Sequence, residues 1–358
     1  MTTVCKLWSS QIHLFSKALA VDDVLSNSNS LFTIAINFHL FFTVGNDNLS
    51  ERCGIICAMN IAEEIKKLKK ERKAVILAHN YCPAEVQDIA DFTGDSLELA
   101  RKATEVDAEV IVFCGVLFMA ETAKILNPSR KVLIPDISAG CPMADMISAE
   151  EVRALKAAHP GAKAVCYVNS TAEVKAECDI CVTSGNAEKV MATFSPDERI
   201  IFVPDRNLGG HVSAALAREY ILWQGFCPVH EALSPEMIAQ ARSQHPSAKV
   251  LVHPECPKAV REAADAALST GGMCAYAREN DVPEVVVGTE TGILHRLQKE
   301  NPRKKFFCLS EGAVCHDMKK NTLEKVCEAL REMRYEVTVP EDIASKAARA
   351  IEAMLAVK

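Results

Sequence analysis

From residue 74 onward, short apolar runs recur along the chain and each stops abruptly at polar or reactive side chains. Val75-Ile76-Leu77-Ala78 runs into His79-Asn80-Tyr81-Cys82, and Ala164-Val165-Cys166-Tyr167-Val168 runs into Asn169-Ser170-Thr171. A third run, Val250-Leu251-Val252, leads into His253-Pro254-Glu255-Cys256. Runs this short, apolar without alternation, read as strands buried on both faces, as in parallel sheets. Helical patterns separate them, and strands alternating with helices predict a parallel α/β fold. In open α/β sheets ligands bind at the carboxyl ends of the strands, so chemistry is expected where the apolar runs end.

The runs keep a period. Their first polar members, taken as His79, Asn169 and His253, stand 90 and 84 residues apart. After each comes a helix start, Gly94-Asp95-Ser96, Thr183-Ser184-Gly185 and Ser269-Thr270-Gly271, where a hydroxyl or carboxylate can cap free amides. A further strand follows in each case: Val110 to Val116, Arg199 to Pro204, and Val285 to Gly288. Last comes a loop cysteine, Cys141, Cys227 and Cys315, at intervals of 86 and 88 residues. Four features holding one period across three copies indicate triplication, and the copies exceed the roughly 20–50 residues of solenoid units. The predicted architecture is three similar three-layer α/β domains with parallel sheets around a pseudo-threefold axis, their strand ends and loop cysteines turned to a central pocket.

The expected divisions are residues 59–138, 139–225 and 226–315, then a C-terminal segment 316–358 whose helix 340–358 packs on the first domain. Residues 1–58 read differently. Polar Ser/Asn patches surround one apolar run, Leu31 to Val44, which Asn37 and His39 interrupt and which is short for a membrane span. Met59 opens an amphipathic helix with Ile61, Ile65 and Leu68 on one face. Residues 1–58 are therefore expected to be a leader, disordered or an upstream translation artefact.

Composition narrows the chemistry. The chain of 358 residues is 49% hydrophobic and 24% charged with a net charge of −7, so it lacks the basic footprint of a nucleic-acid partner. It carries 15 cysteines at irregular spacing and no convincing secretory signal, which argues for reduced, metal-holding thiols in a cytoplasmic protein rather than a disulfide framework. Cys114, Cys166 and Cys308 fall inside strand runs and read as core. The pair Cys178-x-x-Cys181 has no second pair to complete a zinc site and reads the same way. Cys256 occupies the repeat position of Cys82 and is not expected as a ligand.

Cys141, Cys227 and Cys315, one per copy, suit a [4Fe–4S] cluster with thiolates on three irons. The fourth iron then keeps an open position and acts as a Lewis acid. Ser96, Ser184, Ser269 and Thr270 open helices beside glycine, where free amides and the helix dipole favour anions. They predict a substrate with several carboxylates or a phosphate. His79 and His253 lie at matching strand ends with Tyr81 and Glu255 two residues on, and groups of differing pKa at matched places suit proton transfer. His230, just after Cys227, is expected to shape the surroundings of the metal.

Taken together, His79-Asn80-Tyr81, Gly94-Asp95-Ser96, Tyr167-Val168-Asn169-Ser170-Thr171 and Pro204-Asp205-Arg206-Asn207-Leu208-Gly209 resemble the quinolinate synthase family. Cys227-Pro228-Val229-His230, His253-Pro254-Glu255-Cys256-Pro257 and Met318-Lys319-Lys320-Asn321-Thr322 extend the resemblance from about Met59 to the C-terminus. The resemblance implies three α/β domains around one [4Fe–4S] cluster held by Cys141, Cys227 and Cys315. It implies that iminoaspartate condenses with dihydroxyacetone phosphate to give quinolinate, phosphate and water in de novo NAD biosynthesis. It further implies a functional link to the enzyme supplying iminoaspartate, and neither a membrane nor a nucleic-acid partner. Substrate contacts would fall on His79, Ser96, Tyr167, Val168, Asn169, Ser184, His253, Pro254, Glu255, Ser269 and Thr270. Tyr81 and Glu255, with His79 and His253, would handle protons.

Two other readings of the residues stay open at this point. One is an aconitase-like iron–sulfur dehydratase of another small polycarboxylate. The other is a non-enzymatic iron–sulfur sensor, which would not need Tyr81, Glu255 and two histidines beside the cluster.

Overall fold

The structure, a computed structural model, describes residues 49–357. The expected leader therefore falls almost wholly outside the described residues. The helix expected from Met59 begins at Leu49 and runs to Glu71. All three sheets belong to one compact unit, Cys57–Lys358.

The first sheet contains β1 (Ala74–His79), β2 (Phe92–Gly94), β3 (Val110–Cys114) and β4 (Lys131–Leu133). The second contains β5 (Lys163–Tyr167), β6 (Ile180–Val182), β7 (Ile200–Val203) and β8 (Ile221–Leu222). The third contains β9 (Lys249–Val252), β10 (Ala266–Ala267), β11 (Glu284–Gly288) and β12 (Lys305–Cys308). The orders are β2-β1-β3-β4, β6-β5-β7-β8 and β10-β9-β11-β12, with every pairing parallel. One topology has thus been built three times, giving the α/β architecture of three similar parallel sheets.

The repetition reaches individual hydrogen bonds. Asp91, Asp179 and Asp265 each accept, at 2.8 Å, the backbone N–H near the start of the central strand, from Ile76, Ala164 and Val250. Cys82 and Cys256 turn their sulfurs to the carbonyls of Cys114 and Gly288, at 3.2 and 3.6 Å, and are fully buried. Those two cysteines are core packing, in keeping with their exclusion as ligands.

The register corrects one detail of the repeat. Ala78, Cys166 and Val252 pair with Cys114, Val203 and Gly288, so they are equivalent. The next residues are His79, Tyr167 and His253, which stand 88 and 86 residues apart, and Asn169 aligns with Tyr81 and Glu255. Tyr167 and Val168 are both 3% exposed, so apolar character continues past the strand end and the pattern overshoots by two residues. Pairing of Gly94 with His79 and of Val182 with Tyr167 likewise aligns Ser96 with Ser184, and then with Thr270. Asp95, Thr183 and Ser269 stand at the preceding position.

Helices cover the sheets. Ile65 and Leu68 of the first helix pack with Val326 and Leu330 of helix Leu323–Glu332 over Ile76, Val110 and Val112. The C-terminal helix, Glu341–Ala356, was expected against the first unit. It packs instead chiefly on helix Ala172–Ala176 and β6 of the second, and also touches helix Leu117–Leu126. Its apolar stripe explains the choice, because Ala347, Ala350, Ile351 and Met354 bury into the cluster that contains Val174 and Val182. No helix among the described residues is long and apolar enough to cross a membrane.

Gly225 marks a close approach of two stretches of the backbone. A Cβ there would lie 2.5 Å from the carbonyl oxygen of Pro204, in the bridge that pairs Asp205 with Gly225. Gly225→Ala is expected to lower stability by about 1–3 kcal/mol, the usual cost of overpacking a rigid contact. Denaturant unfolding measures it, and an unchanged midpoint would contradict the close approach.

Candidate active site

The strand ends of all three sheets open into one pocket, about 680 Å³ with its open mouth included. Of the residues singled out from sequence, His79, Tyr81, Ser96, Cys141, Tyr167, Asn169, Ser184, Cys227, His253, Glu255, Thr270 and Cys315 line it. Val168, Pro254 and Ser269 are not among its lining residues. Ser269 spends its hydroxyl on capping, accepting the Gly272 N–H at 3.1 Å, while Thr270 beside it faces the pocket.

Glu255 lies at the centre of the polar arrangement. Its Oε1 accepts a 2.5 Å hydrogen bond from the Tyr167 hydroxyl, and its Oε2 lies 2.8 Å from His230 Nδ1. The His230 contact has the distance of an ion pair but not hydrogen-bond alignment, since Nδ1 finds no aligned partner. His230 Nε2 lies 2.7 Å from the Thr289 hydroxyl, which is in turn 2.5 Å from the Tyr81 hydroxyl. His230 also stacks on His253, with ring centroids 4.7 Å apart. Tyr81 and Glu255, from the first and third sheets, are therefore joined through Thr289 and His230.

Burial sets the charge states. It pushes both His79 and His253 down to about 3, so each imidazole is neutral near pH 7. Burial, reinforced by Glu255, pushes Tyr81 and Tyr167 well above the ordinary phenol range, so both keep their protons. Burial also opposes ionisation of Glu255, but His253, His230 and the Tyr167 hydroxyl outweigh it and hold the carboxyl below its ordinary value. The pocket thus presents a carboxylate among neutral donors, which is a base beside acids.

The helix starts are formed by local rules. Asp95 accepts from the N–H groups of Leu97 and Glu98, and Glu98 returns a bond to the Asp95 N–H, a complete capping box before Ser96. Thr183 accepts the Gly185 N–H at 3.2 Å ahead of Ser184. Ser96 and Thr270 open their helices as expected, whereas Ser184 lies in the turn before helix Ala187–Met191, because Asn186 and not Thr183 precedes that helix; all three hydroxyls line the pocket.

Cys141, Cys227 and Cys315 are free thiols. The backbone N–H groups two and three residues on, in Met143 and Ala144, Val229 and His230, and Asp317 and Met318, all act on the respective sulfur. The same geometry recurs because each cysteine opens a short helical turn: Ala144–Met146, Pro228–Glu231 and Met318–Lys320. Burial still dominates, taking Cys141 up to about 12, Cys227 well up and Cys315 up. Only a cation in the pocket would bring out all three thiolates. Cys227, His230 and Glu255 also offer ligand atoms within 4.8 Å of one another, so the site can hold a metal.

Several residues here escaped sequence reasoning. Glu290, fully buried, lines the pocket, accepts the Cys315 N–H at 3.2 Å and pairs with Lys319 at 2.9 Å. Lys319 also donates to the Tyr81 carbonyl at 2.6 Å. A signal existed: Glu290 stands two residues past Gly288, as Asp205 stands two past Val203, at equivalent strand ends. Thr289 carries no comparable periodic mark, and His230, expected beside the metal from its nearness to Cys227, also links Glu255 to Thr289.

Comparison with known proteins agrees with this geometry. A sequence profile of the family described as Quinolinate synthetase A protein matches residues 63–356. A quinolinate synthase of Dehalococcoides mccartyi (strain 195) is 57% identical over 297 residues, spanning 83% of this chain and 98% of that protein. One from Methanoregula boonei is 53% identical over 296 residues, covering 83% and 98%. Another, from Geobacter metallireducens, is 50% identical over 300 residues, covering 84% and 98%.

Proposed function

The chain belongs to the quinolinate synthase family and makes quinolinate for NAD biosynthesis, and we propose that it does so by condensing iminoaspartate with dihydroxyacetone phosphate, releasing phosphate and water. The observation that carries this reading is the convergence of three equivalent loop thiols and the three equivalent hydroxyls of Ser96, Ser184 and Thr270 on one pocket. Cys141, Cys227 and Cys315 would hold a [4Fe–4S] cluster: three soft donors, none in a disulfide, each with amides turned to its sulfur. Bound there, the cluster would supply a Lewis acid at the iron without a thiolate, helping a substrate hydroxyl leave as water.

The chain's own residues do the rest. Ser96, Ser184 and Thr270 bind two carboxylates and a phosphate, with Asn169 beside them. His79 and His253, neutral, orient the substrate by hydrogen bonds without adding charge. Glu255 takes a proton as the new carbon–carbon bond is prepared, with Tyr167 holding the carboxylate in place. Tyr81 gives a proton to a departing or enolising oxygen and recovers it through Thr289 and His230. Val168, Pro254 and Ser269 support these groups from behind the lining. We place the domain divisions at 59–138, 139–225, 226–315 and 316–358, the protein in the cytoplasm, and its upstream link with the enzyme that supplies iminoaspartate.

The test is an anaerobic assay of the iron-loaded protein with both substrates. One phosphate should appear per quinolinate, and neither substrate alone should yield product. Absence of quinolinate with the cluster intact, or dehydration of another polycarboxylate instead, would overturn the reading.

A further inference from the structure

One hydrogen-bonded chain reaches the pocket from outside it. Arg296, on helix Ile293–Glu300 of the third copy, donates from Nη1 to Asn80 Oδ1 at 2.9 Å. Asn80, at the end of β1 in the first copy, donates from Nδ2 to Thr270 Oγ1 at 2.9 Å. Asn80 is fully buried and Thr270 nearly so.

The direction of this chain is forced. A guanidinium has only donors, so it can meet only the oxygen of the amide, and the amide nitrogen must face Thr270. A threonine hydroxyl has one proton and two lone pairs. With one lone pair occupied by Asn80, the proton has to go elsewhere, and no protein group among the described residues accepts it. Thr270 lines the pocket, so its proton points where an anion of the substrate would lie.

A packing role does not account for Asn80. The repeat places Val168 and Pro254 at its position in the other two copies, so the fold there needs no amide. Burying an amide costs free energy unless both its ends are bonded, and here both are. Arg296 is held as well, by Glu300 at 2.7 Å and by Glu98 at 3.2 Å. Glu98 is the same carboxylate that closes the capping box before Ser96. One arginine therefore ties the helix start of the first copy to that of the third.

We infer that Arg296 and Asn80 are positioning residues that make the Thr270 hydroxyl an obligate donor to an anionic group of the substrate. The inference rests on the proposed reading of Thr270 as a substrate contact. Asn80→Asp keeps the size and the bond from Arg296, but its oxygens accept from Thr270 and turn the hydroxyl proton out of the pocket.

The experiment is steady-state kinetics on the anaerobic, iron-loaded full chain carrying Asn80→Asp, Thr270→Val, both together, or Arg296→Met. Thr270→Val and Asn80→Asp should each raise KM for the same one of the two substrates roughly tenfold to a hundredfold, the worth of a bond to a charged group. The kcat should stay within about threefold, with iron content and absorbance unchanged. The double variant should be no worse than Thr270→Val alone, because Asn80 acts only through that hydroxyl. Arg296→Met should raise the same KM less, and it carries the test if Asn80→Asp fails to hold the cluster. If Thr270→Val leaves KM unchanged, the reading of Thr270 as a substrate contact is wrong and the inference falls with it. If Thr270→Val raises KM but Asn80→Asp and Arg296→Met do not, or the effects multiply in the double variant, the positioning role is wrong while the site stands.

Discussion

Replacing any one of Cys141, Cys227 or Cys315 by alanine should abolish the brown iron–sulfur absorbance and reduce quinolinate formation to background. Burial opposes ionisation of all three thiols, so each thiolate would need the charge of a bound metal to form. On the proposed assignment, losing one would remove one of the three bonds that hold the iron. The expectation also separates two ways of holding metal here. If the metal sat instead on Cys227, His230 and Glu255, Cys141→Ala and Cys315→Ala would keep it and Glu255→Gln would lose it. Anaerobic absorbance with iron and sulfide analysis reads the difference. Full iron in the Cys141 or Cys315 variant would contradict the assignment.

Glu255→Gln and Tyr81→Phe should do the reverse, retaining the cluster but losing roughly 10²–10⁴-fold in kcat, the usual worth of a positioned acid or base. Glutamine keeps the shape and can still accept the Tyr167 hydroxyl, but it cannot take a proton at neutral pH. Phenylalanine keeps the ring against His79, whose centroid lies 4.6 Å away, and removes only the hydroxyl bonded to Thr289. Rapid-quench turnover measured beside the absorbance spectrum checks both variants. Near-normal turnover in either would remove that residue from proton transfer.

Much of the fold is legible in the sequence because triplication writes each feature three times. The period locates the loop cysteines and the hydroxyls of Ser96, Ser184 and Thr270, since a mark repeated at 86 or 88 residues is not local chance. It was less exact where chemistry and burial coincide. Tyr167 is buried like a core residue yet bonds Glu255, so apolarity hid the true register and paired His79 with Asn169. Ser269 and Thr270 adjoin in sequence, and what distinguishes them is the capping bond of one to Gly272 and the bond of the other from Asn80. Glu290 and Thr289 follow the third strand type, Val285 to Gly288, rather than the strands whose ends carry the repeated histidines. The C-terminal helix was misplaced because an alanine-rich stripe fits either sheet, and sequence does not say which surface lies bare. Contacts such as Asn80 with Thr270, 190 residues apart, follow from how copies meet, which a repeat cannot encode.

The central claim is that three equivalent cysteines hold one [4Fe–4S] cluster whose fourth iron is open to substrate. Mössbauer spectroscopy of the ⁵⁷Fe-loaded protein, with and without quinolinate, tests it most directly. On adding quinolinate about a quarter of the iron signal, one iron in four, should move to a new doublet while the remainder stays, as expected for a single open metal position. A spectrum in which every iron behaves alike and none responds to the ligand would contradict the claim.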